Sequence, residues 1–445
     1  MAIVLFAVPR PLTIIDVSPA AGAADVAPTT QIVVTFSRPL DDATMGAAIT
    51  VAPPVAGFTS VAGRRLAFTP SASLGAGTSY TVTIGHGVRD RGGRALPRPL
   101  VLTFRTRAAA LLARTRSGLV RITVGSGGEP VAPGAARGEA GRVVDGPVGA
   151  FALSSSGALA YVDARERQLV VQRARQASLR IAVPRDLDVR DLEWAAERAL
   201  LFIGARADEA GRVLIVRLEA PGPTVEPFGD GGASARLAGP LVMEILKRSL
   251  VEIVYRRDSY ALTPDRRSVI VRDRNWDFAL VDLDGTRRGT IGPFLAVGNA
   301  SPRGDGLAVV DVDPGDPALR RRVLRYGRDG SVRALSPPDA DTHSPRFAHA
   351  SDAIAVATAP AIGRPAERAF AIALIDVETG TPRPLTAPPP GSADDEPQWS
   401  ADDGWIAFRR TTIGNPGSGR MWLIPVAGGE ARPVEPEADA VRWVP

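Results

Sequence analysis

A short motif recurs seven times between residue 153 and the C-terminal residues of the sequence. In each copy a hydrophobic residue leads into a short polar turn and a second apolar run follows, most clearly in residues 262–271 and 399–408. The copies begin at Leu153, Trp194, Leu262, Ala300, Phe347, Trp399 and Trp443. Repeats of about 40–50 residues made of short strands and tight turns are typical of β-propellers, whose blades surround a central channel. The motif therefore predicts an all-β propeller over the last three quarters of the chain.

The last copy is truncated, because only Val444 and Pro445 follow Trp443. In a closed propeller the two ends of the repeat region can share one blade, which leaves no exposed sheet edge for aggregation. We predict such a split blade, with residues 441–444 as its innermost strand. Residues 109–113 and 119–124 would supply its other strands.

The number of blades depends on an irregular part of the repeat. Seven blades are favoured, and six or eight remain open, because Trp194 and Leu262 lie too far apart for one blade. The excess falls in residues 229–258, where residues 241–255 are expected to form an inserted amphipathic helix or an extra hairpin.

Composition and charge exclude several classes of protein. The net charge is +5 and the isoelectric point about 10.1, but the basic clusters at 256–257 and 320–322 lack interleaved aromatic residues. We therefore predict no nucleic-acid binding. The absence of cysteine excludes disulfides, thiolate metal sites and a cysteine nucleophile. No stretch is apolar enough to span a membrane, and residues 1–11 are interpreted as a leader or the remnant of an export signal, with an ordinary strand as the alternative.

Residues 12–106 follow a different pattern from the repeat. Apolar and polar residues alternate in short segments that are separated by Gly, Pro and Asp turns. The predicted strands are residues 32–36, 65–69, 80–84 and 100–104. Their number and spacing predict an immunoglobulin-like β-sandwich that precedes the propeller.

Several segments of this first domain resemble the bacterial immunoglobulin-like domain of surface-layer type. They are residues 17–19, 35–41, 68–70, 74–82, 88–93 and 103–106. The resemblance covers the whole domain. Because members of this family occur mostly in exported, cell-surface proteins, it implies that this bacterial chain is extracytoplasmic, at the cell surface or in the periplasm.

Residues 107–445 resemble the TolB-like, WD-type propeller repeats. A copy in that family has an aromatic-Ser-Pro-Asp-Gly turn, an Ile-Ala-Phe-like strand, and a Gly-Gly turn before Arg-x-Leu-Thr. Residues 399–408, 428–429 and 383–386 match parts of this pattern, whereas the copy at Trp194 lacks the polar turn. The resemblance implies a TolB-like propeller whose face or channel binds a partner.

The sequence offers few candidates for chemistry, and no nucleophile elbow, His-Glu-x-x-His motif or phosphate loop is present. His343 and His349 bracket one predicted inner strand. They could be acid/base groups or ligands at the channel mouth, but we favour the interpretation that they are polar turn residues. Asp394, Asp395 and Glu396 precede Trp399. Since loops that enter innermost strands lie at a channel mouth, this acidic cluster could bind a cation or a basic peptide, with a solvated loop as the alternative.

Asp311, Asp313 and Asp316 place carboxylates at nearby positions that could bind a hard cation such as Ca²⁺. The segment lacks a bidentate Glu downstream and contains Pro314, so a solvated loop between strands is the competing interpretation. No other cofactor is predicted.

The features together predict an exported, non-enzymatic binding or scaffold protein. Its propeller face or channel would bind a protein or a cell-envelope glycan. One alternative is a propeller hydrolase or lyase that acts on a polysaccharide or peptide. Another is a structural subunit that self-associates in a cell-surface array or fibre.

Overall fold

A computed structural model describes the chain except for residues 1–10, 29, 42–48, 72–73, 86, 125–129, 132–140, 186, 197–199, 208–209, 219–221, 229–259, 264–265, 273–276, 293, 313–315, 364–366 and 445. The leader and the predicted insertion at 241–255 therefore lie outside the described residues. The chain divides into two compact units, one formed mainly by residues 1–109 and one by residues 110–445. Among the described residues, no helix has the length and hydropathy that a membrane span requires.

The first unit is a β-sandwich of two antiparallel sheets. One sheet has the order β1 (Ile14–Ser18), β2 (Ile32–Phe36), β5 (Arg65–Pro70) and β4 (Gly57–Ala62). The other has the order β3 (Ile49–Ala52), β6 (Ser79–Ile84) and β7 (Leu100–Arg105). Four of these strands are those predicted from the alternation of apolar and polar residues.

Alternation decides which side chains form the core of the sandwich. In β2 every second residue is buried, and the same period holds in β6. Since successive side chains of a strand point to opposite faces, each sheet buries one face and exposes the other. Phe36 and Phe104 come from different sheets and belong to one apolar cluster, which is the core of this unit.

The second unit consists, in its described residues, of seven antiparallel sheets, which we number as blades. Blade 1 contains β8 (Ala110–Thr115), β9 (Gly118–Val124), β10 (Pro130–Val131), β11 (Arg142–Asp145) and β36 (Ala440–Trp443). Blade 2 contains β12 (Val148–Leu153), β13 (Leu159–Asp163), β14 (Gln168–Gln172) and β15 (Leu179–Ala182). Blade 3 contains β16 (Asp188–Ala196), β17 (Leu200–Ala207), β18 (Ala210–Arg217) and β19 (Thr224–Pro227).

The remaining four blades have the same order of four sequential strands. Blade 4 contains β20 (Tyr260–Leu262), β21 (Ser268–Arg272), β22 (Phe278–Asp282) and β23 (Arg287–Gly292). Blade 5 contains β24 (Ala296–Ala300), β25 (Gly306–Val312), β26 (Arg321–Gly327) and β27 (Val332–Ala334). Blade 6 contains β28 (Ala340–Phe347), β29 (Ala353–Pro360), β30 (Ala371–Asp376) and β31 (Pro382–Pro384). Blade 7 contains β32 (Ser392–Trp399), β33 (Trp405–Thr412), β34 (Asn415–Pro425) and β35 (Arg432–Pro433).

The packing of neighbouring sheets is that of a propeller. Separate apolar clusters join blade 1 to 2, 2 to 3, 3 to 4, 4 to 5, 5 to 6 and 6 to 7. Because each sheet packs on both faces, its middle strands are buried continuously, as in β13 and β25. The first strands of neighbouring sheets contact one another, as β24 does with β28 and β28 with β32, so these strands border the central channel.

Blade 1 is the predicted split blade. β36 pairs antiparallel with β8, with Val441 opposite Ala113 and Trp443 opposite Leu111. The side chain of Val441 is fully buried. The C-terminal strand thus completes a sheet whose other strands lie about 300 residues earlier in the chain. Residues 229–259 lie outside the described part, so the total number of blades remains a prediction.

The recurring aromatic residues join neighbouring blades. The indole nitrogens of Trp194, Trp399 and Trp443 donate to the backbone oxygens of Ala152, Arg346 and Gln398, at 3.4, 2.8 and 3.1 Å respectively. Each acceptor directly precedes the anchor residue of an earlier motif copy: Ala152 precedes Leu153, Arg346 precedes Phe347 and Gln398 precedes Trp399. A buried tryptophan needs a partner for its N–H, and here the previous blade supplies it.

The polar residue that follows each of several anchors forms the turn. The Oγ of Ser400 accepts from the backbone nitrogen of Trp405 at 2.9 Å, and the Oγ of Ser154 accepts from that of Ala158 at 2.9 Å. These side chains stabilise the reversal between the first two strands of a blade. The repeat seen in the sequence is therefore a packing anchor followed by a turn-forming hydroxyl.

Candidate functional site

His343 and Asp395 lie at equivalent positions of neighbouring innermost strands. His343 in β28 precedes Phe347 by four residues, and Asp395 in β32 precedes Trp399 by four. Both strands shift their register just after these positions, between His343 and Arg346 and between Asp395 and Gln398. The two irregularities place polar side chains of blades 6 and 7 next to each other at the channel.

A hydroxyl connects the two side chains. Ser344 Oγ donates to Asp395 Oδ1 at 2.7 Å and lies 2.9 Å from His343 Nδ1. His343 Nδ1 is itself 3.4 Å from Asp395 Oδ1. Ser344 has a φ of 52°, in the left-handed region that a β-strand residue rarely adopts. The bulge thus aims a short hydroxyl across the blade boundary, and we call His343, Ser344 and Asp395 the channel triad.

All the hydrogen bonds to Asp395 from described residues reach one oxygen. Besides Ser344, the backbone nitrogen of Glu396 donates to Asp395 Oδ1 at 2.6 Å. No described residue donates to Oδ2. The Asp395 side chain is 32% exposed, whereas that of His343 is 3% exposed. The carboxylate is therefore held through Oδ1, and part of the side chain is exposed.

The protonation states of the triad follow from burial and nearby charge. Burial and the positive charge of Arg321 lower the pKa of His343 to about 4, so its ring is neutral near pH 7. Burial raises the pKa of Asp395, but His343, the Ser344 hydroxyl and the Glu396 N–H outweigh it and hold this pKa below its usual value. The Ser344 hydroxyl donates its hydrogen bond to Asp395. Its oxygen is therefore the acceptor in the contact with His343, and the neutral His343 ring donates from Nδ1.

A buried charge cluster lies behind His343. Arg321 Nε and Nη2 bind the two oxygens of Asp341 at 2.8 and 2.9 Å, and Arg368 Nη1 binds Asp341 Oδ2 at 2.5 Å. Asp341 is fully buried; burial raises its pKa, but the two arginines bring this pKa down to about 2. Phe370 lies between this cluster and the triad, with Arg321 over its ring at 5.0 Å and His343 against it at 4.5 Å.

The acidic residues predicted to lie in a loop before Trp399 lie within β32, and this part of the prediction was wrong. Asp394 is fully buried and accepts from Arg410 Nε and Nη2 at 2.6 and 2.8 Å, so it is not available at a channel mouth. Arg410 also lies over the Trp422 ring at 4.4 Å. Glu396 lies 3.7 Å from Arg409. Since strand pairing alternates side chains, Asp394 and Asp395 face different surroundings.

The two histidines have separate environments. His343 is buried within β28 and is not the turn residue that we favoured. His349 is exposed in the turn after β28, where its Nδ1 lies 2.9 Å from Asp403 Oδ1. The backbone nitrogens of His349 and Ala350 also donate to the Asp403 carboxylate, each at 2.8 Å. His349 thus belongs to a contact between a turn of blade 6 and a turn of blade 7. Its hydrogen bonds go to Asp403 and to no residue of the channel triad.

Two of the three aspartates predicted as a cation site lie among the described residues. Asp311 lies in β25, Asp313 is outside the described residues, and Asp316 accepts from Arg320 Nε at 2.6 Å. The hydrogen bond from Arg320 lowers the pKa of Asp316 to about 2 despite partial burial. Within the described part of the chain, no group of three acidic or histidine side chains has the spacing of a metal site. The Ca²⁺ hypothesis stays a prediction.

A second polar contact between innermost strands was not foreseen. Arg442 in β36 donates to Asp191 in β16 at 2.8 Å, and the hydroxyl of Tyr260 in β20 donates to the other Asp191 oxygen at 3.3 Å. These residues join blades 1, 3 and 4. Aligning the motif copies could have found Asp191, because it precedes Trp194 by three residues, as Glu396 precedes Trp399.

Residues 8–106 match the family described as bacterial Ig-like domain. No curated protein is similar enough in sequence to match the chain. Similar solved structures include TolB from Acinetobacter baumannii, with 12% identity, a TM-score of 0.40, and coverage of 98% of this chain and 99% of that one. A protein from Lactobacillus plantarum has 13% identity, a TM-score of 0.47, and coverage of 76% and 99%. Identities and TM-scores this low do not transfer a function. The Ig-like match fits a bacterial extracytoplasmic protein.

Proposed function

We propose that this chain is an extracytoplasmic bacterial binding protein whose propeller channel binds a cationic side chain of a protein partner. The observation that carries the proposal is the orientation of Asp395. Its Oδ1 is held by Ser344 and by the Glu396 N–H, while its Oδ2 receives no hydrogen bond from the described residues. A fixed, ionised carboxylate that presents one oxygen is a recognition group for an ammonium or guanidinium ion.

The surroundings of Asp395 favour a cation over an anion or a neutral group. The lowered pKa keeps the Asp395 carboxylate charged at neutral pH. His343 is neutral there, because its pKa is lowered to about 4. Arg321 is bound to the fully buried Asp341, and the ring of Phe370 lies between this ion pair and His343. Glu396 is part of the same strand and adds a second, partly exposed carboxylate.

The rigidity of the site supports binding more than catalysis. Ser344 is the one hydroxyl of the channel triad, and it gives its hydrogen bond to Asp395, not to a histidine that could act as a general base. A serine nucleophile needs a base that accepts its proton, and a carboxylate of lowered pKa is a weak one. A preformed carboxylate lowers the entropic cost of holding a partner's side chain.

The experiment compares a short peptide of alternating Lys and Ala with a matched Glu and Ala peptide, by isothermal titration calorimetry on the full chain. The Lys peptide should bind, with an affinity that falls as ionic strength rises. Asp395→Asn should weaken that binding about tenfold, because one charged contact is lost. Asp145→Asn is the matched control, since it removes an exposed carboxylate of blade 1 that pairs with Arg142.

Two results would contradict the proposal. One is equal binding of the Lys peptide by the wild-type protein and by Asp395→Asn. The other is equal binding of the Lys and Glu peptides. Circular dichroism of each variant verifies that the propeller remains folded.

A further inference from the structure

A cleft of about 400 Å³ lies between blades 5 and 6, and no residue of the channel triad lines it. Its apolar lining residues are Pro302, Val377 and the largely buried Phe347. Its walls carry three arginines and three carboxylates: Arg303, Arg325, Arg333, Asp305, Asp352 and Glu378. We name it the blade 5–6 cleft. Its volume lies in the range of small-molecule sites, roughly 300–1,000 Å³.

The cleft is held in shape by contacts across the blade boundary. Arg303 of the first turn of blade 5 pairs with Asp352 of the first turn of blade 6. Arg333 Nη1 of β27 donates to the backbone oxygen of Glu378 at 2.9 Å, and its Nη2 donates to that of Val377. Each blade thus supplies one wall, and two cross-links fix the walls relative to each other. A preformed cleft needs little reorganisation to receive a ligand.

The balance of charge in the lining selects a class of ligand. The three guanidinium groups are matched by three carboxylates, and Arg325 Nη2 lies 2.9 Å from Asp305 Oδ2. An anion would face Asp305, Asp352 and Glu378, and a cation would face the arginines. A hydroxyl group can donate to a carboxylate and accept from a guanidinium at once, so a neutral polyhydroxylated ligand satisfies both kinds of wall.

The arginines retain hydrogen-bonding capacity for such a ligand. A guanidinium has five N–H donors. Arg303 makes one hydrogen bond, from Nη2 to Asp352. Arg333 makes two, one from each terminal nitrogen to a backbone oxygen. The exposed Pro302 in the lining can receive the C–H face of a sugar ring, while the charged residues bind its hydroxyls. We infer that the blade 5–6 cleft binds a neutral sugar of one or two rings.

The test uses saturation-transfer difference NMR on the full chain. The neutral probes are cellobiose and N,N′-diacetylchitobiose, and the charged probes are galacturonate and glucosamine. At least one neutral disaccharide should show transfer that exceeds that of both charged sugars. Arg333→Gln and Asp352→Asn should each weaken the transfer about tenfold, because each removes charged hydrogen-bonding groups from one wall.

Two further variants separate binding from folding. Ser351→Trp places a large ring in the cleft without removing an ion pair, and it should abolish the signal at an unchanged melting temperature. Asp145→Asn, in blade 1, should leave the signal as in the wild type. Three outcomes would overturn the inference. They are no transfer to either neutral disaccharide, a preference for galacturonate or glucosamine, and a signal that survives Ser351→Trp.

Discussion

Ser344 and Asp395 contact each other across the boundary between blades 6 and 7, where the serine hydroxyl donates to Asp395 Oδ1 at 2.7 Å. Both residues lie at register shifts of innermost strands, in β28 and in β32. The contact fixes the carboxylate on which the proposed recognition of a cation depends. Three further predictions concern the residues around it and the closure of the ring.

Asp341→Asn should destabilise the propeller strongly. The substitution leaves the side chains of Arg321 and Arg368, 4% and 1% exposed, without their shared counter-charge. Removing one partner from a buried ion cluster typically costs about 3–5 kcal/mol. The free energy of unfolding in urea, followed by tryptophan fluorescence, measures this cost, because all six tryptophans lie in the propeller unit. Asp145→Asn, in an exposed pair, should cost less than about 1 kcal/mol. Similar losses in the two variants would refute the structural role of the Asp341 cluster.

His343 should make the propeller less stable as the pH falls from about 6.5 to about 4. Its pKa is lowered from 6.5 to about 4 in the folded protein, so over this interval the unfolded chain binds a proton that the folded one does not. The stability present above pH 6.5 is therefore lost on acidification, by up to roughly 3 kcal/mol. Urea unfolding across this pH range should show a smaller slope in His343→Gln. His349→Gln serves as the control with an exposed histidine, and an unchanged slope in His343→Gln would contradict the assignment.

Removal of residues 440–445 should open the ring. β36 pairs with β8, buries Val441, and carries the Arg442 contact to Asp191. The loss of a strand with these contacts should lower the stability by roughly 3 kcal/mol or more and expose the edge of β8 to aggregation. Differential scanning calorimetry measures the change in melting temperature. Trp443→Phe keeps the strand and loses only the hydrogen bond to Gln398, so its effect should be about 1 kcal/mol. A truncated chain that melts like the wild type would exclude closure by β36.

Much of the fold could be predicted because it depends on local pattern. The alternation in residues 32–36 marks a strand with one buried face, and the seven copies of the anchor and turn mark the blades. The split blade followed from a single truncated copy at Trp443. The position of residues 394–396 just before Trp399 predicts a loop that enters an innermost strand, but Arg410 and the bulge at Glu396 accommodate them in β32.

The sequence by itself determined the two-part, all-β architecture, the split blade and the residues that anchor one blade to the next. These features arise from periodic burial and turn chemistry, which act over a few residues. The tertiary structure alone decided that Asp394 is buried against Arg410 while Asp395, one residue later, accepts a hydrogen bond from Ser344 of the neighbouring blade. It also brought Arg442 to Asp191, which lie 251 residues apart in sequence. Such contacts depend on how the blades close into a ring and on where the strands bulge. The spacing of residues along the chain does not show which side chains meet in this way.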